Sequence, residues 1–477
     1  MTTNLPAGDQ QYTAELSEKP VSYSTRILSL DVLRGIAVLA ALMVSIWVFG
    51  GFSSQQQKQL LLQSHGWNHR LYVAVELLFN GKMRAIIAIV FGASMLLFLH
   101  KDRTGKEPAS DLFINRQLWL IIFGLINAFI FLWTQDILFH LGIMGLLLFP
   151  FIRLSNRGLL IAAILTTLIY CGKNYWNYSD HKKAYSKNIK LTALENKFKT
   201  DSIAKAKKGL IAKKDTLTKL QKQDKGEWEG ILSSIKPDVK RDDATNKEMR
   251  NTSYGKVWNY LVPNIQQREA QWTYVAGIWD FACMIFLGML LYRIGFFNNG
   301  FSRNKYLLLG LLCLTGGILF GIYRLHYQHV ALEDYLKYIK YKALPFNFFF
   351  PLERALMALA YTSFVMACLS AGILRYIWKA FAAAGKLALT NYLLQSIICT
   401  VFFYGYGMGY YGMLKQWQLY FFALEVIIVQ LAFSIIWLRY FEYGPAEWLL
   451  RRLSSSKWFR DPIQKPSSTG LPYSNVI

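Results

Sequence analysis

The chain has 477 residues, of which 53% are hydrophobic and 16% aromatic, and a formal net charge of +24. Ordinary soluble domains are less apolar, and here the excess is gathered into runs long enough to cross about 30 Å of hydrocarbon, which excludes a soluble fold. The charge would suggest nucleic acid in a soluble chain, but the Lys and Arg residues fall largely in connections between apolar runs, where membrane topology puts them.

The expected fold is therefore an all-α, polytopic membrane bundle of about ten transmembrane helices. Residues 1–27 are polar and no small-residue cleavage site follows the first apolar run, so the first helix is expected to be retained after a cytoplasmic N-terminus. An N-terminal bundle over 28–172 is expected to contain spans at about 32–49, 83–99, 117–134, 137–152 and 158–172, with an interfacial or re-entrant segment at 71–79. Residues 173–271 form a Lys-rich insert, including "ENKFKTDSIAKAKKGLIAKKDTLTKLQKQ", that reads as one or two exposed amphipathic helices outside the cytoplasm. A C-terminal bundle over 272–453 follows, with spans at about 273–292, 305–323, 350–371, 385–403 and 419–438, and then a disordered cytoplasmic tail over 454–477.

Alternate short connections carry the cations: Arg26; Lys101, Arg103 and Lys106; Arg153 and Arg157; Arg293, Arg303 and Lys305; Arg375 and Lys379; Arg451 and Arg452. An even number of crossings then puts both termini on the positive, cytoplasmic side of a bacterial inner membrane. The five cysteines show no CxxC spacing and read as small packed apolar residues.

Four motifs carry a resemblance. "RILSLDVLRGIAVLAALMVSIW", "FNGKMRAIIAIVFGASMLLF", "GKLALTNYLLQSIICTVFFYGYGMG" and "WLRYFEYGPAEWLLRRL" occur in the same order as in the YeiB-like bacterial membrane proteins that carry domain of unknown function 418. The hundred-residue insert departs from the shorter loop expected in that family. The family is in turn distantly similar to transmembrane acyltransferases, the acyltransferase-3 group and the heparan glucosaminide acetyltransferase type, through the Leu-Asp-x-x-Arg-Gly entrance to the first helix. That similarity implies transfer of an acyl group from cytosolic acyl-CoA, a co-substrate and not a bound cofactor, to an extracytoplasmic glycan or lipid headgroup. In the acyltransferase-3 group a His follows the helix-one Arg by eleven positions; Ser45 stands there in this chain.

Asp31 and Arg34 share a helix face, either as a neutralised membrane anchor or as the group that holds the anionic donor. Lys82 and Arg84 open an apolar helix and read as snorkelling cations or as a second part of that anion site. For the base that acyl transfer needs, the candidates are His65, whose neighbours Trp67 and Asn68 resemble the catalytic loop of the glucosaminide acetyltransferase type, and His140, four residues after Asp136. His65 and His69 have metal-ligand spacing but no nearby carboxylate, so no metal is expected. Asp136 can equally be a helix cap, and His65 a solvated loop residue.

Asp280, Glu353, Arg354 and Glu425 lie in or beside helices, where pairing across the bundle is the cheapest explanation. Lys386, Thr390, Asn391 and Gln395 form a polar stripe on the ninth expected helix, serving a substrate path or holding helices together. The competing class of function is a transporter or small-molecule binding protein that uses the same intramembrane polar residues.

Overall fold

The computed structural model describes residues 27–52, 54–63, 65–99, 109–207, 217–235 and 239–455. Nearly all of the expected tail and of the expected N-terminal segment lies outside these residues; Ser454, expected to open the tail, ends the last helix. The described chain is helical, without a strand.

The chain opens with α1 (Leu28–Phe49), two shorter helices α2 (Ser54–Leu62) and α3 (Trp67–Leu78), and α4 (Lys82–Leu99). A tight turn at Gly81, where φ is +75°, lets α3 and α4 form one apolar run, so the segment expected to be re-entrant leads directly into a span. Next come α5 (Ala109–Phe129), α6 (Leu138–Leu148) with a 3-10 turn to Arg153, and α7 (Asn156–Lys207). Then follow α8 (Lys219–Ile235), α9 (Val239–Arg250), α10 (Tyr254–Gln266), a π-helical stretch (Gln267–Gly277) and α11 (Ile278–Arg293). The last part contains α12 (Arg303–Glu333), α13 (Tyr335–Tyr341), α14 (Phe350–Ser370), α15 (Arg375–Lys386), α16 (Ala388–Phe403), α17 (Gln416–Tyr440) and α18 (Pro445–Ser454).

Among the described residues, eight helices are long and apolar enough to cross a membrane, and α15 with α16 makes a ninth if that bent pair is one span. The tenth expected pass is α6 with its 3-10 turn, which is apolar but shorter than a full span. This is a multi-pass membrane protein. Its outer surface agrees with that: Leu308, Leu311, Leu312 and Leu319 of α12 and Ile161, Ile164, Leu165 and Leu168 of α7 are all exposed.

Two expectations change. The span expected at 158–172 is the first part of the 52-residue α7, roughly 78 Å long, which continues through Gly172 into the insert. Its polar half has exposed i,i+4 neighbours instead of a breaker, so nothing ends the helix at the end of the apolar run. α8 folds back on it through Lys187–Asp224 and Lys225–Glu195 pairs at 2.9 Å and a Tyr185–Trp228 ring contact. The helix expected at 385–403 is broken at Leu387, where α15 and α16 meet at 77°.

The bundle closes on small residues. Gly35 of α1 and Gly385 of α15 face each other so closely that a Cβ on Gly385 would overlap the Asp31 carbonyl oxygen, and one on Gly35 that of Phe381. Close backbone approach of this kind is how helices gain packing where lipid removes the hydrophobic drive to associate.

Candidate functional site

Charged side chains converge where α4, α11 and α14 meet, near the α4 N-terminus. Lys82 is fully buried; its Nζ lies 2.5 Å from Glu353 Oε1 and donates to the Glu76 carbonyl at 3.1 Å. Arg324 of α12 donates from Nε to Glu353 Oε2 at 2.9 Å and lies 3.6 Å from Glu76 Oε2. Asn80 donates to the same Glu76 oxygen at 2.5 Å. Two cations and two carboxylates make this first cluster neutral, and the Phe350 ring lies 5.2 to 5.9 Å from the guanidinium of Arg324 and the ammonium of Lys82. Charges this enclosed persist only when paired.

A second cluster begins one helical step further along α4. Arg84 Nε lies 3.2 Å from Asp280 Oδ2, and Arg354 pairs with Asp280 Oδ1 while its Nε donates to the Gly81 carbonyl at 2.9 Å. The π-helical stretch brings in Arg268, Glu269, Trp272 and Thr273. Segments of this kind re-aim side chains and recur at functional sites. The Arg268 guanidinium is 3.6 Å from the centroid of the Trp272 ring, and that of Arg84 is 5.5 Å from the same ring. His140 is 1% exposed, its Nε2 is 2.9 Å from Thr273 Oγ1, and its ring stacks on Phe281 and meets the edge of Trp272. Its Nδ1 faces Glu269 Oε2 at 3.6 Å, longer than a hydrogen bond. Arg268 Nε and Nη2, both Glu269 oxygens and His140 Nδ1 are buried without a hydrogen-bond partner among the described residues. Buried polar groups are rarely left this way, and this cluster therefore holds donors and acceptors that the described residues do not themselves use.

Of the expected site residues, His140, Lys82 and Arg84 come into these clusters. Neither cation snorkels; both pair internally with carboxylates. Asp136 does not pair with His140. Its Oδ1 accepts from Asn127 Nδ2 and its Oδ2 from the Phe139 amide, each at 2.8 Å, so it caps the start of α6 while His140 turns toward Thr273 and Glu269.

Asp31 and Arg34 pair at 3.1 Å, as their spacing predicts, and Arg34 also donates to Ser94 Oγ of α4 at 2.9 Å. That is the other end of the bundle: Arg84 and Ser94 are ten residues apart on α4, roughly 15 Å. A cavity of about 320 Å³ lined by Leu96, Leu99, Ile152, Arg153 and Arg293 opens at the same end as Arg34. His65 is exposed in the connection between α2 and α3, and His69 Nδ1 contacts the Leu60 carbonyl at 2.6 Å. No group of three metal-binding side chains occurs among the described residues.

The expected stripe divides at the Leu387 bend. Lys386 ends α15 and does not share a face of α16 with the others. Asn391 Nδ2 donates to Ser434 Oγ at 2.9 Å, joining α16 to α17, and Gln395 Nε2 donates to Gln430 Oε1 at 2.9 Å and to the Val38 carbonyl at 3.3 Å, joining α16 to both α17 and α1. Thr390 belongs to a separate feature. Glu447 of α18 accepts from the Leu389 and Thr390 amides at 2.6 and 3.1 Å and from Thr390 Oγ1 at 2.5 Å, capping α16. Burial pushes the Glu447 carboxyl above its ordinary value, and these donors oppose that shift.

Among the described residues Glu425 pairs with nothing across the bundle; it faces outward from α17. Glu76, Arg268, Glu269, Thr273 and Arg324 were missed from the sequence. Arg324 had a visible signal, an arginine closing an apolar run, just beyond the end expected for that span.

The fold and the charged interior together define a multi-pass helical membrane protein with a polar site enclosed between its helices. Residues 291–457 match the family described as protein of unknown function (DUF418). The chain is 25% identical over 457 residues to the uncharacterized protein YxaH of Bacillus subtilis (strain 168), covering 94% of this chain and 98% of that one. It is 24% identical over 443 residues to the uncharacterized protein YeiB of Escherichia coli (strain K12), covering 90% and 96% respectively. A 105-residue stretch is 29% identical to an uncharacterized 39.9 kDa protein of Bacillus acidopullulyticus, 22% of this chain and 30% of that one. No solved structure matches. The C-terminal part of the chain thus carries the DUF418 match, and over nearly its whole length the chain is similar to YxaH and YeiB.

Proposed function

We propose that this protein transfers an acyl group from a cytosolic thioester such as acyl-CoA to a hydroxyl or amine of an extracytoplasmic glycan or lipid headgroup, in a bacterial inner membrane with both termini in the cytoplasm. The observation that carries the reading is the line Thr273 Oγ1, His140 Nε2, His140 Nδ1, Glu269, beside guanidinium donors that have no partner. A base within reach of a hydroxyl, with a carboxylate behind it, is the arrangement acyl transfer needs. It supports His140 as the base in preference to His65, which touches none of these groups.

In this reading the acceptor oxygen attacks the thioester carbonyl as its proton passes to His140. The C–S bond then breaks, and the same proton leaves on the thiol, so no oxidant or further reactant is needed. Arg268 and Arg84 are positioned to stabilise the negative charge that develops on the carbonyl oxygen. Arg34 and the cavity beside Leu96 and Arg153 lie at the opposite end of α4 and suit the anionic head of a donor whose extended chain reaches inward. Arg153, Arg157, Arg293, Arg303, Lys305, Arg375 and Lys379 flank helix ends on that side, which supports its being cytoplasmic.

The test uses the full chain purified in detergent with acetyl-CoA. Binding and slow thioester turnover are expected; Arg34→Ala should weaken binding, and His140→Gln should lower turnover about 100-fold or more with little change in binding. Absence of both binding and hydrolysis would overturn the reading. Solute accumulation in sealed vesicles that depends on Asp280 or Asp136 would replace it with transport.

A further inference from the structure

The atoms left without a partner beside His140 are of two kinds. Thr273 Oγ1 donates to the Arg268 carbonyl at 3.2 Å, so its one proton is spent and it accepts from His140 Nε2 at 2.9 Å. The imidazole therefore carries its proton on Nε2 and a lone pair on Nδ1. That lone pair faces Glu269 Oε2 at 3.6 Å, and neither it nor either Glu269 oxygen meets a donor among the described residues. Three acceptors thus converge with nothing to accept from, on His140 and Glu269 side chains that are only 1% and 7% exposed.

Arg268 presents the complement. The Trp272 ring covers one face of its guanidinium at 3.6 Å, and the edge made by Nε and Nη2 is buried and unused. That edge is the fork on which a guanidinium takes two oxygens of a carboxylate or phosphate. Arg268 and Trp272 are half-buried, so this side of the cluster meets the surroundings while His140 and Glu269 lie deeper. Roughly 35 Å of helix separates Arg268 from Arg293 at the far end of α11. With Arg293 at one surface of about 30 Å of hydrocarbon, Arg268 reaches the depth of the headgroup phosphates on the other.

We infer that this cluster receives a primary ammonium and a neighbouring oxyanion of one molecule, the chemistry of a phosphoethanolamine headgroup. An ammonium has three N–H donors for Glu269 Oε1, Glu269 Oε2 and His140 Nδ1, and the oxyanion has lone pairs for both Arg268 donors. Carboxylate and guanidinium belong to adjacent residues, and ammonium and phosphate are joined by a short chain in such a molecule. One ligand then satisfies every atom of the set, which neither a sugar hydroxyl nor a simple anion does. The inference rests on the proposed acyl transfer only in making this amine the acceptor. There, one ammonium proton passes to Glu269 and on to water, and the freed nitrogen forms the N–C bond as His140 Nδ1 takes a second proton. That proton leaves on the thiol as the C–S bond breaks, so atoms and charge balance. With Arg268 engaged by the phosphate, the carbonyl oxygen falls to Arg84.

The test needs no thioester. The full chain, purified in detergent, is given equal amounts of phosphatidylethanolamine, phosphatidylcholine and phosphatidylglycerol, and the lipid retained is read by native mass spectrometry. Phosphatidylethanolamine should be held roughly ten-fold better than phosphatidylcholine, whose ammonium has no N–H, and than phosphatidylglycerol, which has no cation. Glu269→Gln should erase the preference over phosphatidylglycerol, whereas Arg268→Gln should weaken retention of both these lipids. Both variants keep the bond from Thr273 to the backbone of residue 268 and should melt like the parent; the comparison of three lipids on the parent chain needs neither. Free phosphoethanolamine that displaces the lipid supports recognition of the headgroup, and phosphoethanolamine bound with no lipid retained would make a soluble zwitterion the ligand. Equal retention of the three lipids without phosphoethanolamine binding, or a preference unaltered in Glu269→Gln, would overturn the inference. Thioester turnover in a protein that fails this test would leave acyl transfer standing with a different acceptor, and lipid selectivity without turnover would leave the binding site alone.

Discussion

Two polar regions lie inside this bundle, and they are built differently. Between α1, α16 and α17 the groups are neutral, and the side-chain donors of Asn391, Gln395, Gln430 and Ser434 are all used, on one another or on backbone carbonyls, with Asn391 Oδ1 the acceptor among them left without a partner among the described residues. Between α4, α11, α14 and the π-helical stretch the groups are charged, and several of their buried atoms have no partner. A network that spends its donors on its own members and on backbone carbonyls holds helices together. One that pairs its charges but leaves Arg268 and Glu269 with unused donors and acceptors carries a cost in stability, which the proposed function would account for.

Breaking the charged region should have the largest effect. Asp280→Ala would leave Arg84 and Arg354 enclosed without their shared carboxylate, and loss of one partner of a buried pair typically destabilises by about 3 to 5 kcal/mol. Thermal unfolding in detergent should show a drop of many degrees. A variant that melts like the parent would mean that these guanidiniums find other acceptors, and the contrast with the neutral region would fail.

Backbone contact ranks next and sharpens the comparison, because it involves no charge. Gly385→Ala would force a Cβ into the Asp31 carbonyl and part α1 from α15, at a cost of about 1 to 3 kcal/mol. Gly172→Ala in α7, where no heavy atom lies within 4 Å, should instead be neutral or stabilise by up to about 1 kcal/mol. The same melting measurement reads both; equal shifts would show that helix propensity, and not close approach, governs these positions.

The sequence disclosed the membrane class, most of the spans and several partners, because apolar run length and i,i+3 spacing are local properties. Asp31 with Arg34 is such a case, and so is the inference that Asp280, Glu353 and Arg354 pair within the bundle. The partner of His140 was not legible. Proximity in sequence suggested Asp136, but that carboxylate is consumed in capping α6, while Glu269 arrives from a segment 129 residues away whose π-helical winding leaves no periodicity to read. The Leu387 break was hidden for the opposite reason: both halves are good helix formers, and the bend is held by Glu447 on α18, a contact between residues nearly sixty positions apart. The outward Glu425 shows the same limit, since mean hydropathy cannot tell which side of a span faces lipid.

The smallest effect is expected in the neutral network, and its sign pattern separates structural from functional polarity. Gln430→Ala removes the bond from Gln395 and the bond to the Asn391 carbonyl, for a loss of about 0.6 to 2 kcal/mol. Replacing both Gln395 and Gln430 by Leu removes donor and acceptor together, and should recover much of that loss because little is left unsatisfied. The corresponding exchange of His140 and Glu269 for apolar residues should likewise be tolerated in melting but abolish thioester turnover. If the Gln395→Leu/Gln430→Leu protein also lost turnover, the α16–α17 contact would belong to the substrate path, and the division between the two regions would have to be redrawn.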